Sequence, residues 1–317
     1  METTTPQKLH FHGTGAALFG IQFVNILLTI VTLGLYYPWA KAATLRYMYQ
    51  ETDFLGTRFV FHGTGKEMFW GFIKAAAIII ALYSVYFAGI FLNNITLIIV
   101  GTVLLFGGLL LLMPMIIHGG MRYRMSRTSW RSIHFGYRGN LKALMFLFWK
   151  NVLLTIVTLG IYGSWMEINL RQYIIGSVRF GNVKFNYQGN GLQLFMIHFR
   201  GIFLSIITLG IYFFWYTKSL FNYYIDNIQM EQEDRIIKLE SSATGGGFFG
   251  VMITNIFIIL FTLGLGAPWA TVRVMNYILS NINIGEGFNP EILLQTEENY
   301  TNALGEDMMD ALDLDLV

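Results

Sequence analysis

The chain contains no cysteine. Disulfides, thiolate metal sites and cysteine nucleophiles are thereby excluded. Charge is also scarce. Asp, Glu, Lys and Arg make up 13% of residues, where a soluble domain carries about 25%. Hydrophobic residues reach 54% and the mean hydropathy is +0.51. A chain this apolar cannot hide its surface from water at this size, so the expected solvent is a bilayer. Basic residues are missing from Glu291 to Val317, which holds eight acidic ones. With a net charge of +2 overall, the remainder is basic. Three catalytic signatures are absent: the Gly-x-Ser-x-Gly elbow, His-Glu-x-x-His and a phosphate loop. Glu51, Asp53 and Glu167 are scattered and do not recur as a pair. No enzyme is expected. Nor is a removable signal peptide, since no short apolar segment leads into a small-residue cleavage site.

What is present is a recurrence of about fifty residues, five times over. Its strand motif ends at Gly13, Gly63, Gly139, Gly189 and, altered, Ala243. Twenty-one residues on stand Gly34, Ser84, Gly160, Gly210 and Gly264; in four copies this is the Gly of Thr-Leu-Gly. Trp39, Trp165, Trp215 and Trp269 follow, with Gly89 in that place in copy two. A variable slot comes next, Arg46, Gln172, Asn222 and Asn276, each followed by Tyr. Copy two has its pair, Arg122-Tyr123, late by the length of about one transmembrane helix. Such self-similarity sets an architecture before any single residue is interpreted. The copies run approximately 8–56, 57–131, 132–181, 182–235 and 236–288. Together they form one repeat-built transmembrane domain over 1–290, followed by an acidic tail at 291–317.

Between copies the pattern alternates around small turns, as in Thr52 to Phe61, Thr128 to Tyr137 and Val178 to Tyr187. Period two with such a turn predicts short β-hairpins, which could pair into a small cytoplasmic sheet. Apolar stretches at 16–36, 68–92, 95–117, 143–162, 194–216 and 248–266 each approach the ~20 residues of a membrane span. Shorter, more polar second helices follow at about 38–52, 164–176, 214–228 and 268–280. Pro38 and Pro268 suit their first turns. Three placements fit them: crossing within the bundle, re-entry, or lying along the interface. The expected class is therefore a polytopic α-helical membrane protein with six to ten crossings. The hairpins carry the basic residues, which places them and the C-terminus in the cytoplasm.

Polar residues recur on one face of the first helices: Asn25, Thr29 and Thr32; Asn151, Thr155 and Thr158; Asn255 and Thr262. Spacings of three and four place them on one side. With Arg46, Gln172, Asn222, Arg273 and Asn276 they make a candidate polar path. Interhelical glue is the plainer reading of the Asn and Thr stripe. His62 stands at the position equivalent to His12, with His10 on the same strand face, and the other copies hold Arg138, Gln188 and Ser242 there, so no metal site is expected, and no cofactor. The Trp and Tyr residues read as an interfacial belt. The basic run Arg122 to Arg138 is a candidate anionic-lipid contact rather than a nucleic-acid site. The acidic tail is a candidate protein contact. Oligomeric state is not legible.

Phe11-His12-Gly13-Thr14-Gly15, the run Thr32 to Trp39, and Arg46-Tyr47 resemble the YjgN-like family of bacterial inner-membrane proteins, a domain of unknown function. The resemblance covers about residues 8–290. It implies a multi-pass protein of the bacterial inner membrane and supplies no catalytic residues. The functional expectation is a transporter or channel-like protein for a small solute or lipid. The alternative is a non-catalytic scaffold that holds a partner through its hairpins and tail.

Overall fold

The computed structural model describes residues 7–296. Copy one runs β1 (Gln7–Phe11), α1 (Gly15–Val31), α2 (Tyr37–Gln50) and β2 (Thr52–Phe54). Copy two is β3 (Thr57–Phe61), α3 (Gly65–Phe91), α4 (Ile95–Ser126) and β4 (Thr128–Trp130). Copy three is β5 (Ile133–Tyr137), α5 (Leu141–Val157), α6 (Gly163–Gly176) and β6 (Val178–Phe180). Copy four is β7 (Val183–Tyr187), α7 (Gly191–Ile207), α8 (Phe213–Asp226) and β8 (Ile228–Gln232). Copy five is β9 (Arg235–Ser241), α9 (Gly245–Phe261), α10 (Ala267–Ser280) and β10 (Ile282–Ile284).

The ten strands close into one antiparallel barrel. Each pairs with its chain neighbours, and β1 pairs with both β2 and β10. Tight turns set the hairpins. Leu55 and Gly56, Arg131 and Ser132, and Glu233 and Asp234 all take positive φ, which matches the right-handed twist of the strands they join. Alternate side chains point inward. Phe54, Trp130, Phe180, Val183, Met230 and Ile237 form one buried cluster. The Trp130 indole donates to the Thr57 carbonyl at 3.0 Å, so its polar atom is satisfied where the ring is fully buried. Phe288 and Leu293, past the last strand, join this cluster. Gln232 and Asn289 exchange two hydrogen bonds at 2.9 and 3.0 Å, and Asn182 donates to the Ile292 carbonyl at 3.1 Å. The segment after β10 thus caps one mouth of a barrel whose interior is filled with side chains, as small barrels are. Residues 291–296 of the expected tail belong to this cap; the rest of the tail lies outside the described residues.

These strands correct the expected fold class. A polytopic α-helical protein with a small cytoplasmic sheet is not what forms. The hairpins instead make a closed ten-stranded barrel. Among the described residues only α3 and α4 are long and apolar enough to cross a membrane, so the expected six to ten crossings are not supported. The reason is length. Helices α1, α5, α7 and α9 have 17 residues, about 26 Å at 1.5 Å per residue, short of a ~30 Å hydrocarbon core. The excess in copy two is not an added helix. It lengthens both members of the pair, to 27 and 32 residues.

Thr-Leu-Gly turns each short pair back. Thr32 Oγ1 donates to the Leu28 carbonyl and accepts from Tyr36 N at 3.0 Å. Thr158, Thr208 and Thr262 repeat both bonds. The following Leu takes φ near +50° and the Gly φ near +92°, the left-handed pair that ends one helix and redirects the chain.

Two contacts recur, one within each copy and one between copies. The Tyr after the slot caps its own copy's first helix: Tyr47 OH accepts from Thr14 N at 2.7 Å and donates to its carbonyl at 3.0 Å. Tyr173, Tyr223 and Tyr277 do the same at Asn140, Asn190 and Thr244. Each Trp meanwhile lies on the helix-start glycine of the next copy: Trp39 on Gly65, Trp165 on Gly191, Trp215 on Gly245, and Trp269 back on Gly15. A Cβ at any of these glycines would overlap the indole. Copy two lacks the Trp, and copy three correspondingly begins its helix at Leu141. The helices pack in chain order, with α10 against α1. Overpacking of this kind costs about 1–3 kcal/mol. Gly15→Val is therefore expected to lower the thermal midpoint in detergent by several degrees. Gly20→Ala, which meets nothing within 4 Å, leaves it unchanged or raised. Equal midpoints for the two variants would show that the Trp269 contact does not hold the ring closed.

Candidate functional site

The expected path residues occupy structural positions. Asn25, Asn151 and Asn255 are buried at 7%, 1% and 6% exposure. Asn151 accepts from Asn169 of α6 at 2.7 Å, and Asn255 donates to the Ala270 carbonyl of α10 at 3.2 Å. Asn25 Nδ2 is buried without a partner. Thr29 and Thr155 bond carbonyls of their own helices, while Thr32, Thr158 and Thr262 belong to the turns described above. In the variable slot, Arg46 donates to the Gly63 carbonyl at 3.3 Å and Asn222 meets the Ser241 hydroxyl at 2.9 Å. Both bonds reach the rim of the next copy. Gln172, Arg273 and Asn276 are exposed. The expected path residues lie on or at the ends of α1, α2, α5, α6, α8, α9 and α10.

A denser polar cluster lies across α6, α7 and α8. Arg171 Nη2 and Glu167 Oε1 are 2.9 Å apart, one turn apart on α6. Glu167 Oε2 stands 3.7 Å from His198 Nε2, and His198 Nδ1 meets Tyr216 OH at 2.6 Å. The Arg171 guanidinium lies 3.7 Å over the Tyr224 ring, a cation–π geometry. Gly201 makes the arrangement possible, because a Cβ there would overlap the Tyr216 ring. The cluster is only half-buried: Glu167, Arg171 and His198 side chains are 33%, 34% and 26% exposed.

His198 also lines a groove of about 480 Å³ between the α5–α6 turn and α7. Its walls are apolar: Ile161 on one side, and Phe195, Phe199, Ile202, Phe203 and Ile206 on the other. Ser164 and His198 supply the polar groups. The volume suits a single small ligand or one chain of a larger one. The spacing of Glu167 and Arg171 by four was the visible signal of a helix-face pair. Nothing in the sequence tied that pair to His198 on the following helix.

The other histidines sit elsewhere. His62 Nε2 meets Ser129 Oγ at 2.8 Å, with the His134 ring 5.3 Å away. His10 on β1 and His12 just after it are exposed. No group of three metal-ligating side chains occurs among the described residues. The His134 imidazole is held below its usual pKa, first by burial and then by His62, with Arg127 adding in the same sense. Its folded form therefore prefers to be neutral, and the unfolded chain binds the proton more readily. Stability is then complete above pH 6.5, the ordinary value, and declines as pH falls through it. Unfolding midpoints taken across that range should fall on acidification, and His134→Gln should flatten the decline. A slope unchanged in the variant would assign the effect to another group.

A family model described as "Bacterial protein of unknown function (DUF898)" matches residues 6–189 and 216–311. The inner membrane protein YjgN of Escherichia coli O157:H7 is 33% identical over 147 residues, which are 46% of this chain and 35% of that protein. YjgN of Salmonella typhimurium strain LT2 is 30% identical over 173 residues, 54% of this chain and 41% of its own length. The chain thus spans well under half the length of the curated relatives it matches. No solved structure matches it.

Proposed function

The chain belongs to the DUF898 family of bacterial proteins, whose named relatives are inner membrane proteins, and from that premise we propose a lipid-handling membrane protein. The coarse placement is an inner-membrane protein surrounded by lipid. Its two long apolar helices bury only 6% of their span windows inside the protein, so they are not core helices of a soluble fold. The finer reading narrows the expected transporter for a small solute or lipid to a lipid. It rests on one observation, the apolar groove along α7 that His198 lines, with Glu167 3.7 Å behind that histidine and Arg171 paired to Glu167. Such a groove suits an acyl chain, and the charged end suits a polar headgroup. An aqueous path is the weaker reading, since side chains fill the barrel and its cap closes one mouth. The role assigned is binding and transfer, with no catalytic step. The multi-pass, hairpins-inside orientation belongs to this proposal too, supported by the basic hairpins.

The test is the lipid that co-purifies. Phe199→Ala and Ile202→Trp alter the groove in opposite senses while leaving the polar cluster in place. Ile202→Trp should cut bound phospholipid per protein several-fold by mass spectrometry, and Arg171→Gln should shift its headgroup class. Bound lipid equal to wild type in both Ile202→Trp and Arg171→Gln would sink the lipid reading. Partner capture through the barrel surface with unchanged lipid content would favour the scaffold.

A further inference from the structure

Three cations stand at one level of the helical layer. Lys74, Lys150 and Arg200 each lie nine residues beyond the first residue of their helices, Gly65, Leu141 and Gly191. All three are exposed. None makes an ion pair or hydrogen bond among the described residues. The equivalent places in α1 and α9 hold Val24 and Thr254. Above this level the exposed side chains of copies three and four are apolar up to the turns. Ile156, Val157 and Leu159 of copy three, and Ile206, Ile207 and Leu209 of copy four, are 61% exposed or more. The turn leucines Leu33, Leu159, Leu209 and Leu263 are 92–94% exposed. Four leucines presented at hairpin tips, in a left-handed backbone conformation, are left almost wholly uncovered by the described residues. Only hydrocarbon satisfies them.

Heights then fall into two classes. From Lys150 to Leu159, and from Arg200 to Leu209, is nine residues, about 14 Å of helix. That is half of a ~30 Å hydrocarbon core. From Lys74 to Leu92, where α3 ends, is eighteen residues, about 27 Å, close to the whole core. One reference plane therefore gives one leaflet for the short pairs and two for α3–α4. Lysine and arginine stems carry their charged heads toward the interface while their methylenes stay in hydrocarbon, so the three cations suit the phosphates of anionic lipids.

We infer that Lys74, Lys150 and Arg200 form a headgroup-binding tier for anionic phospholipid, from which four helical hairpins enter a single leaflet while α3–α4 alone crosses the bilayer. The occupant of this surface is the lipid bilayer itself. The inference rests on membrane placement and not on the groove, so it stands or falls separately from the lipid-handling proposal.

The chain has no cysteine, so single cysteines report cleanly in the full protein. In proteoliposomes, Arg58→Cys on the barrel and Asn94→Cys at the α3–α4 turn should react with a membrane-impermeant maleimide from opposite sides. Leu159→Cys and Leu209→Cys should react from neither. Nitroxides at those two tips should show the oxygen-over-nickel collision ratio of the bilayer centre. Tip labelling from the Asn94 side would mean the hairpins cross. Labelling from the barrel side would mean they do not insert, as would burial of the tips against a second copy of the chain. Either result overturns the inference. For the tier, the association of spin-labelled phosphatidylglycerol relative to phosphatidylcholine should exceed one in the wild type. It should fall to parity when all three cations become Gln, and persist when Lys74 and Lys150 become Arg. A preference retained in the Gln variant overturns the headgroup assignment.

Discussion

Closure of the ten-stranded barrel is the constraint on which the rest of the molecule depends. An isolated hairpin of three- and five-residue strands is marginal in water, and an open sheet would leave a reactive edge. Joining β1 to β10 removes both edges at once. Four hairpins and the closing pair of β1 with β10 share one core. The helices take their placement from the barrel, since both members of each pair leave from and return to neighbouring strands.

The helical layer reinforces closure with contacts that are weak singly and cyclic together. The Trp of one copy rests on the helix-start glycine of the next, and Trp269 completes the circle on Gly15. The exception shows how the contact works. Copy two has no Trp at the equivalent position, and the glycine it would have covered is Leu141. The same copy carries the two long helices. The ring is thus tightest where the pairs are short and relaxed where one pair is extended. The polar cluster and groove arise in copies three and four, where α6, α7 and α8 bring Glu167, His198 and Tyr216 together.

Much of this was legible in particular residues. The alternation from Thr52 to Phe61 around Gly56 marks a hairpin, and the hairpin is there. Thr-Leu-Gly marks the end of a helix, and it is the device that folds each pair back. The slot and the Tyr after it were visible as fixed offsets, but their meaning was not. Offsets report that positions are equivalent; they do not report what those positions touch. Tyr47 bonds its own copy and Arg46 reaches the next one, although the two are adjacent in the chain. The Asn and Thr stripe reads as interhelical glue or, less plainly, as a path, because the same spacing serves both. The spacing of Glu167 and Arg171 is legible on one helix, but their association with His198 is not, because it crosses from α6 to α7.

By itself the sequence determined the hairpin turns, the helix-ending turns and the apolar character. These depend on local backbone preference and on hydrophobic periodicity, which act within about ten to twenty residues. Only the tertiary structure decided that the hairpins close on themselves, that the four 17-residue first helices stop short of a full span, and that the chain after β10 plugs the barrel. Each of these depends on pairing between distant residues, such as Gln7 with Ile284 and Gln232 with Asn289. Hydropathy counts apolar residues along the chain but does not say where the chain turns back, and it was that turning that separated the barrel with its short hairpins from an ordinary bundle of spans.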